Sequence, residues 1–123
     1  MDKKATGFAS PAQGYEEDWI DLNRVLIHNP PATIFVRLDS DDMSDFGLPR
    51  GTLLIVDRSK TPGANNFAVL RHEGRFLCRL LTKNRGKTGF TDGNREFYPV
   101  QNETEIIGAV TAAIRVFTDA YAH

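Results

Sequence analysis

Residues Ala32 to Asp57 read ATIFVRLDSDDMSDFGLPRGTLLIVD, and this stretch decides the fold. Ala32 to Leu38 is dominated by β-branched and aromatic side chains, which suit a pleated strand and lose rotamer freedom in a helix. Asp39 to Asp45 then packs four carboxylates into a polar turn, and Gly47, Pro49 and Gly51 punctuate the loop behind it. Thr52 to Val56 (TLLIV) is a continuous apolar run. It is short enough for a strand and apolar enough to be buried on both faces.

Working outward toward the C-terminus, Phe67 to Arg71 and Arg75 to Leu81 flank His72-Glu73-Gly74, which predicts a tight hairpin. Lys83 to Gly89 reads as a second turn and Gly93-Asn94 as a third. Ile106 to Phe117 alternates, so Ile106, Gly108, Val110, Ala112, Ile114 and Val116 are expected on one face of a long strand. On the N-terminal side, Asp21 stands as a helix N-cap before Leu22 to Ile27, and Pro30-Pro31 ends that short helix. Residues 1–18 carry only Phe8 and Tyr15 as large apolar or aromatic side chains past Met1. A segment with so little to bury is expected to be a mobile arm. The reading is therefore a mainly β fold: an arm over 1–18, one β-domain over 19–118 with one short N-terminal helix, and a C-terminal tail over 119–123.

The bulk properties bound the function. A chain of 123 residues fits one domain. Its 41% hydrophobic and 25% charged residues are ordinary for a globular protein. The formal net charge of -1 gives no bulk attraction to nucleic acid or to an anionic membrane. Direct sequence-specific nucleic-acid binding and membrane binding are not expected. The N-terminus, Met1-Asp2-Lys3-Lys4, is polar with no apolar stretch behind it, and no apolar run approaches the roughly 20 residues that span a bilayer. With one cysteine, Cys78, an intramolecular disulfide is impossible and a reducing compartment is the natural reading, so a cytoplasmic location is expected. Cys78 sits in an apolar run and reads as a small buried hydrophobe.

Few constellations offer chemistry. His28, His72 and His123 have no second His or Cys at metal-ligand spacing and read as solvated or capping residues. Asp39, Asp41, Asp42 and Asp45 offer oxygens to calcium, but the calcium loop of an EF-hand needs an oxygen ligand at its fifth position, Gly at its sixth and Glu at its twelfth. Counting from Asp39, those positions are Met43, Ser44 and Arg50. The turn reads as solvated, and no metal or other cofactor is expected. Lys83, Arg85 and Lys87 alternate without the interleaved aromatics that a single-strand stacking platform needs, so they read as a solvated hairpin tip.

The order of these pieces carries a resemblance. A strand leads to Asp41-Asp42-Met43, then Gly47, Gly51, Leu53-Leu54-Ile55-Val56-Asp57, and later Phe76-Leu77-Cys78-Arg79. This resembles the LexA/UmuD-type self-cleaving serine peptidases, whose members usually carry G-D-S-M, then G-D-x-L-I-V-D, then F-x-V-K. Gly7 to Ala12, Ile20 to Asn23 and Leu53 to Asp57 are UmuD-like in particular, and the likeness runs from about Thr6 to Phe117. It implies a β-domain of short, strongly curved strands.

The departures decide the function that the resemblance implies. Active members use a serine nucleophile and a neutral lysine as its base, because a serine hydroxyl is a poor nucleophile until a base takes its proton. Here the nucleophile position is Asp42 and the lysine position is Arg79, while Ser40 replaces the motif's glycine. Arginine stays protonated in proteins and cannot serve as a base. Asp42 and Arg79 are expected to meet as a charge-assisted pair in the former active site. The cleavage-site equivalent is Thr6-Gly7, with only six residues on its N-terminal side, as in a form made already short. The resemblance thus implies an inactive pseudo-peptidase that forms a homodimer and binds a Y-family, UmuC-type translesion polymerase in SOS mutagenesis, as the accessory subunit of DNA polymerase V does. Full-length UmuD, the RecA filament and the sliding clamp are further implied partners, with Phe8 and Tyr15 as contact residues. The alternative is a self-cleaving peptidase that uses a displaced serine, Ser40 or Ser44, with Lys60 or Lys83 as base. A repressor-like DNA binder is disfavoured, because no helix-turn-helix segment precedes the β-domain.

Overall fold

The computed structural model describes residues 21–118. Seven strands form one antiparallel sheet: β1 (Thr33–Arg37), β2 (Leu53–Asp57), β3 (Phe67–His72), β4 (Arg75–Asn84), β5 (Lys87–Thr91), β6 (Tyr98–Pro99) and β7 (Thr104–Ile114). Their spatial order is β1-β2-β7-β3-β4-β5-β6, so the last described strand inserts between β2 and β3, and the edges of the described sheet are β1 and β6. The expected mainly β fold with one short helix is borne out. The arm and tail expected over 1–18 and 119–123 lie outside the described residues, as do Thr6, Gly7, Phe8 and Tyr15.

The single α-helix among the described residues, α1 (Leu22–Leu26), is one short turn capped at both ends. Asp21 Oδ1 accepts from the Asn23 N–H at 3.0 Å, and His28 Nε2 reaches the Val25 carbonyl at 3.0 Å. It buries none of its residues. Pro30 and Pro31 close the helical segment as expected and open a 3-10 turn, Pro30–Ala32, that leads into β1.

β2 earns its apolar composition. It pairs with β1 on one side and β7 on the other, and Leu54, Ile55 and Val56 are buried. Asp57 ends the strand and is buried too, accepting from the Ser59 N–H at 2.9 Å and the Ser59 hydroxyl at 2.6 Å. Those hydrogen bonds stabilise the carboxylate and hold its pKa below the usual range.

Two details differ from the sequence reading. The turn expected over Lys83 to Gly89 contracts to Arg85-Gly86, because Lys83 pairs with Thr88 and Asn84 with Lys87. Arg85 (φ 55°) and Gly86 (φ 82°) both take left-handed backbone, the geometry whose twist matches a two-residue hairpin. β7 starts and ends earlier than expected, and its alternation is interrupted. Its register shifts opposite Val69/Leu70 and again opposite Ile55/Val56, which leaves Ile107 and Thr111 as extra residues. Each such bulge bends the strand and moves the following side chains to the other face. Ile106 consequently packs with Ala68, Leu70, Leu81 and Phe90, whereas Val110 packs with Met43, Leu54, Val56, Val69 and Cys78. The single face expected for Ile106 and Val110 is split between two core clusters.

The first of those clusters positions the acidic turn. Met43 and Leu48, both from the β1–β2 connection, are buried against strand residues. At about 1.5–3 kcal/mol for a fully buried large apolar side chain, Met43 is a main anchor of the connection on the sheet, with Leu48 beside it.

Candidate functional site at the Asp42–Arg79 cleft

The connection is ordered from within. Asp41 Oδ1 accepts from the Arg50 N–H at 3.0 Å, and the Arg50 guanidinium stands 3.8 Å from the Asp41 carboxylate and donates to the Asp39 carbonyl. The Asp41 carbonyl accepts from the Ser44 N–H at 3.1 Å and the Ser44 hydroxyl at 2.8 Å. A 3-10 turn, Ser44–Phe46, follows, and Gly47 in left-handed backbone (φ 84°) ends it. The acidic turn is thus a hydrogen-bonded corner whose four carboxylates are exposed to solvent, as expected of a solvated turn.

A second loop pins this corner. The Gly93 N–H, from the β5–β6 turn, donates to the Asp42 carbonyl at 2.9 Å. A Cβ on residue 93 would stand 2.6 Å from that carbonyl oxygen, so only glycine permits the approach. Gly93 is a positioning residue that sequence reasoning assigned only to a turn. Its signal, a glycine in a polar turn, does not say which backbone it meets.

Arg79 reaches the corner from the middle of β4. Its Nη2 lies 3.4 Å from Asp42 Oδ2, and its Nη1 donates to the Cys78 carbonyl at 2.8 Å. The Arg79 side chain is 11% exposed and that of Asp42 51%. The guanidinium is therefore the buried partner and the carboxylate faces water. Burying an arginine without partners is costly, and here both ends of its fork are used. The cleft between them is small, about 80 Å³, and is walled by Leu38, Ser40, Met43 and Cys78 among others. That is room for about two or three waters at ~30 Å³ each.

The arrangement is poor for nucleophilic catalysis. Asp42 faces a cation that cannot accept a proton. Burial pushes the Cys78 thiol up to about 11, only partly offset by the neighbouring Arg79 charge, so it stays protonated near neutral pH. Ser44 donates its hydroxyl proton to the Asp41 carbonyl, and Ser40 Oγ accepts from the Asp42 N–H at 3.4 Å. Among the described residues neither hydroxyl is hydrogen-bonded to Lys60 or Lys83. For metals, the four carboxylates of the acidic turn do not converge. The described group whose donor atoms do is His72, Glu73 and Glu103, within 4.8 Å of one another. Sequence reasoning missed it, because Glu103 arrives only through the pairing of β7 with β3. Among the described residues no helix is long and apolar enough to cross a membrane.

Fold and cleft together define a mainly β domain whose β1–β2 connection presents a carboxylate to a guanidinium on β4. Comparison with known proteins places that class. The peptidase S24-like family profile matches residues 1–111. The chain is 37% identical over 110 residues to the protein SamA of Salmonella typhimurium, which covers 88% of this chain and 77% of SamA. It is 35% identical over 115 residues to the protein ImpA of Escherichia coli, covering 92% and 79% of the two chains. With the protein MucA of Escherichia coli it shares 30% identity over 119 residues, covering 93% and 81%. The chain belongs to the peptidase S24-like family, and the LexA/UmuD-type resemblance holds at that level.

Proposed function

We propose that this chain is a catalytically inactive, UmuD-like accessory subunit that dimerises and binds a Y-family, UmuC-type translesion polymerase in SOS mutagenesis. The observation that carries the reading is the Asp42–Arg79 contact of 3.4 Å. The family resemblance puts nucleophile and base at these two positions. Here one is a carboxylate and the other a guanidinium, and each engages the other. Family membership supports the SOS role, since the matched relatives share nearly the whole chain. For partner binding the fold offers the edge strand β1, with Phe35 exposed on it, and Phe76 exposed on β4. An edge strand presents unpaired backbone groups to which another chain can add.

Co-expression with a UmuC-type polymerase tests the reading directly. Copurification in a defined ratio is the expected result, and its absence overturns the polymerase assignment. Incubation of the protein alone at alkaline pH, and with RecA filaments, tests the inactivity. Scission at Thr6-Gly7 in either arm would restore the peptidase reading and remove the pseudo-peptidase one.

A further inference from the structure

Away from the cleft, His72, Glu73 and Glu103 meet where β3 ends and β7 begins. His72 pairs with Thr104 in the β3–β7 ladder, which brings the turn before β7 beside the β3–β4 turn. The imidazole of His72 is held from two directions. Its Nδ1 lies 2.8 Å from Thr104 Oγ1, and its ring packs edge-on against Phe90 with centroids 5.7 Å apart. Nε2 is left as the outward donor atom, with Glu73 Oε2 at 3.7 Å. The Glu103 carboxylate completes a set whose atoms all lie within 4.8 Å of one another. Two carboxylates converging on one imidazole repel each other unless a proton or a cation lies between them.

We propose that His72, Glu73 and Glu103 form a binding site for a divalent transition-metal ion of the zinc class. The donor set selects that class: an imidazole nitrogen suits zinc, cobalt or nickel, whereas calcium and magnesium are served by oxygen alone. The hydrogen bond from Nδ1 to Thr104 is the outer contact that fixes a metal-binding histidine in one tautomer and orientation. Donors around a tetrahedral zinc ion stand about 3.3 Å apart, so the carboxylates must close by about an ångström. Glu73 and Glu103 are both exposed and free to do so, while the histidine stays fixed. A bound ion joins the β3–β4 turn to the start of β7 and leaves a fourth position for water. This inference does not depend on the reading of the Asp42–Arg79 cleft.

The test uses the untagged full chain, stripped with chelator and titrated calorimetrically with zinc chloride, with cobalt(II) absorption as a second readout. One equivalent bound, tetrahedral cobalt bands and a saturable rise in Tm are expected. His72→Ala and Glu103→Gln should each weaken binding by about tenfold or more, while Asp92→Asn, in the β5–β6 turn, leaves it unchanged. Glu103→Gln keeps the size of an exposed side chain, so its effect reads the site even if His72→Ala perturbs folding. Absence of saturable binding up to about 1 mM zinc, a value that corresponds to only ~4 kcal/mol, overturns the proposal. So does binding that both variants leave intact.

Discussion

The acidic corner and the basic β4–β5 hairpin tip look alike in sequence: each concentrates like charges around a glycine-bearing turn. They are built differently. In the corner, Asp41 holds the Arg50 backbone, Asp42 meets Arg79, and Gly93 locks the Asp42 carbonyl from another loop. At the tip, Lys83, Arg85 and Lys87 are exposed, and among the described residues none of them has an ion pair. Charge density therefore does not tell a solvated turn from a structural one. What separates them is whether a second segment comes near enough to use the polar groups.

The sharpest way to break this comparison is at the glycines. Gly93→Ala forces a Cβ to 2.6 Å from a backbone oxygen, and overpacking of that kind is expected to cost about 2–3 kcal/mol in urea denaturation. Gly86→Ala at the tip meets open space and is expected to cost only about 1 kcal/mol, for its left-handed φ. Equal losses would mean that the corner is not pinned by the β5–β6 turn.

Asp41→Ala removes the acceptor of the Arg50 N–H, which remains near water, so about 1 kcal/mol of stability should be lost. The same measurement on Asp39→Ala, whose contribution to the corner is its backbone carbonyl, should show a smaller loss.

A double-mutant cycle of Asp42→Asn with Arg79→Met isolates the pair itself. Because Asp42 is half exposed, screening limits the coupling to about 0.5 kcal/mol, less at high salt. A coupling near zero at low salt would reduce the contact to mere proximity. Arg79→Met alone should cost more than the coupling, since the Cys78 carbonyl also loses its donor.

The smallest effect belongs to the tip. Lys83→Ala, Arg85→Ala and Lys87→Ala together are expected to shift stability by less than about 0.5 kcal/mol per site, as surface substitutions do.

Much of the fold was legible because local chemistry and tertiary structure agree. Asp21 capped α1, the TLLIV run became a buried strand, and His72-Glu73-Gly74 became a hairpin corner. β7 was legible as a strand but not in its facing, because bulges at Ile107 and Thr111 answer to the register of neighbouring strands rather than to its own alternation. At the site, the identities of Asp42 and Arg79 and their expected meeting came from the motif order. The burial of Arg79, the grip of Gly93 and the stapling of Asp41 did not.

The sequence alone determined the β class and the order of residues that the S24-like family profile matches, since these depend on residue type and local pattern. Tertiary structure alone decided that β7 lies between β2 and β3, that Gly93 touches Asp42, and that Glu103 reaches His72. Those are contacts between segments far apart in the chain. They are set by which strands pair, and no local pattern encodes that.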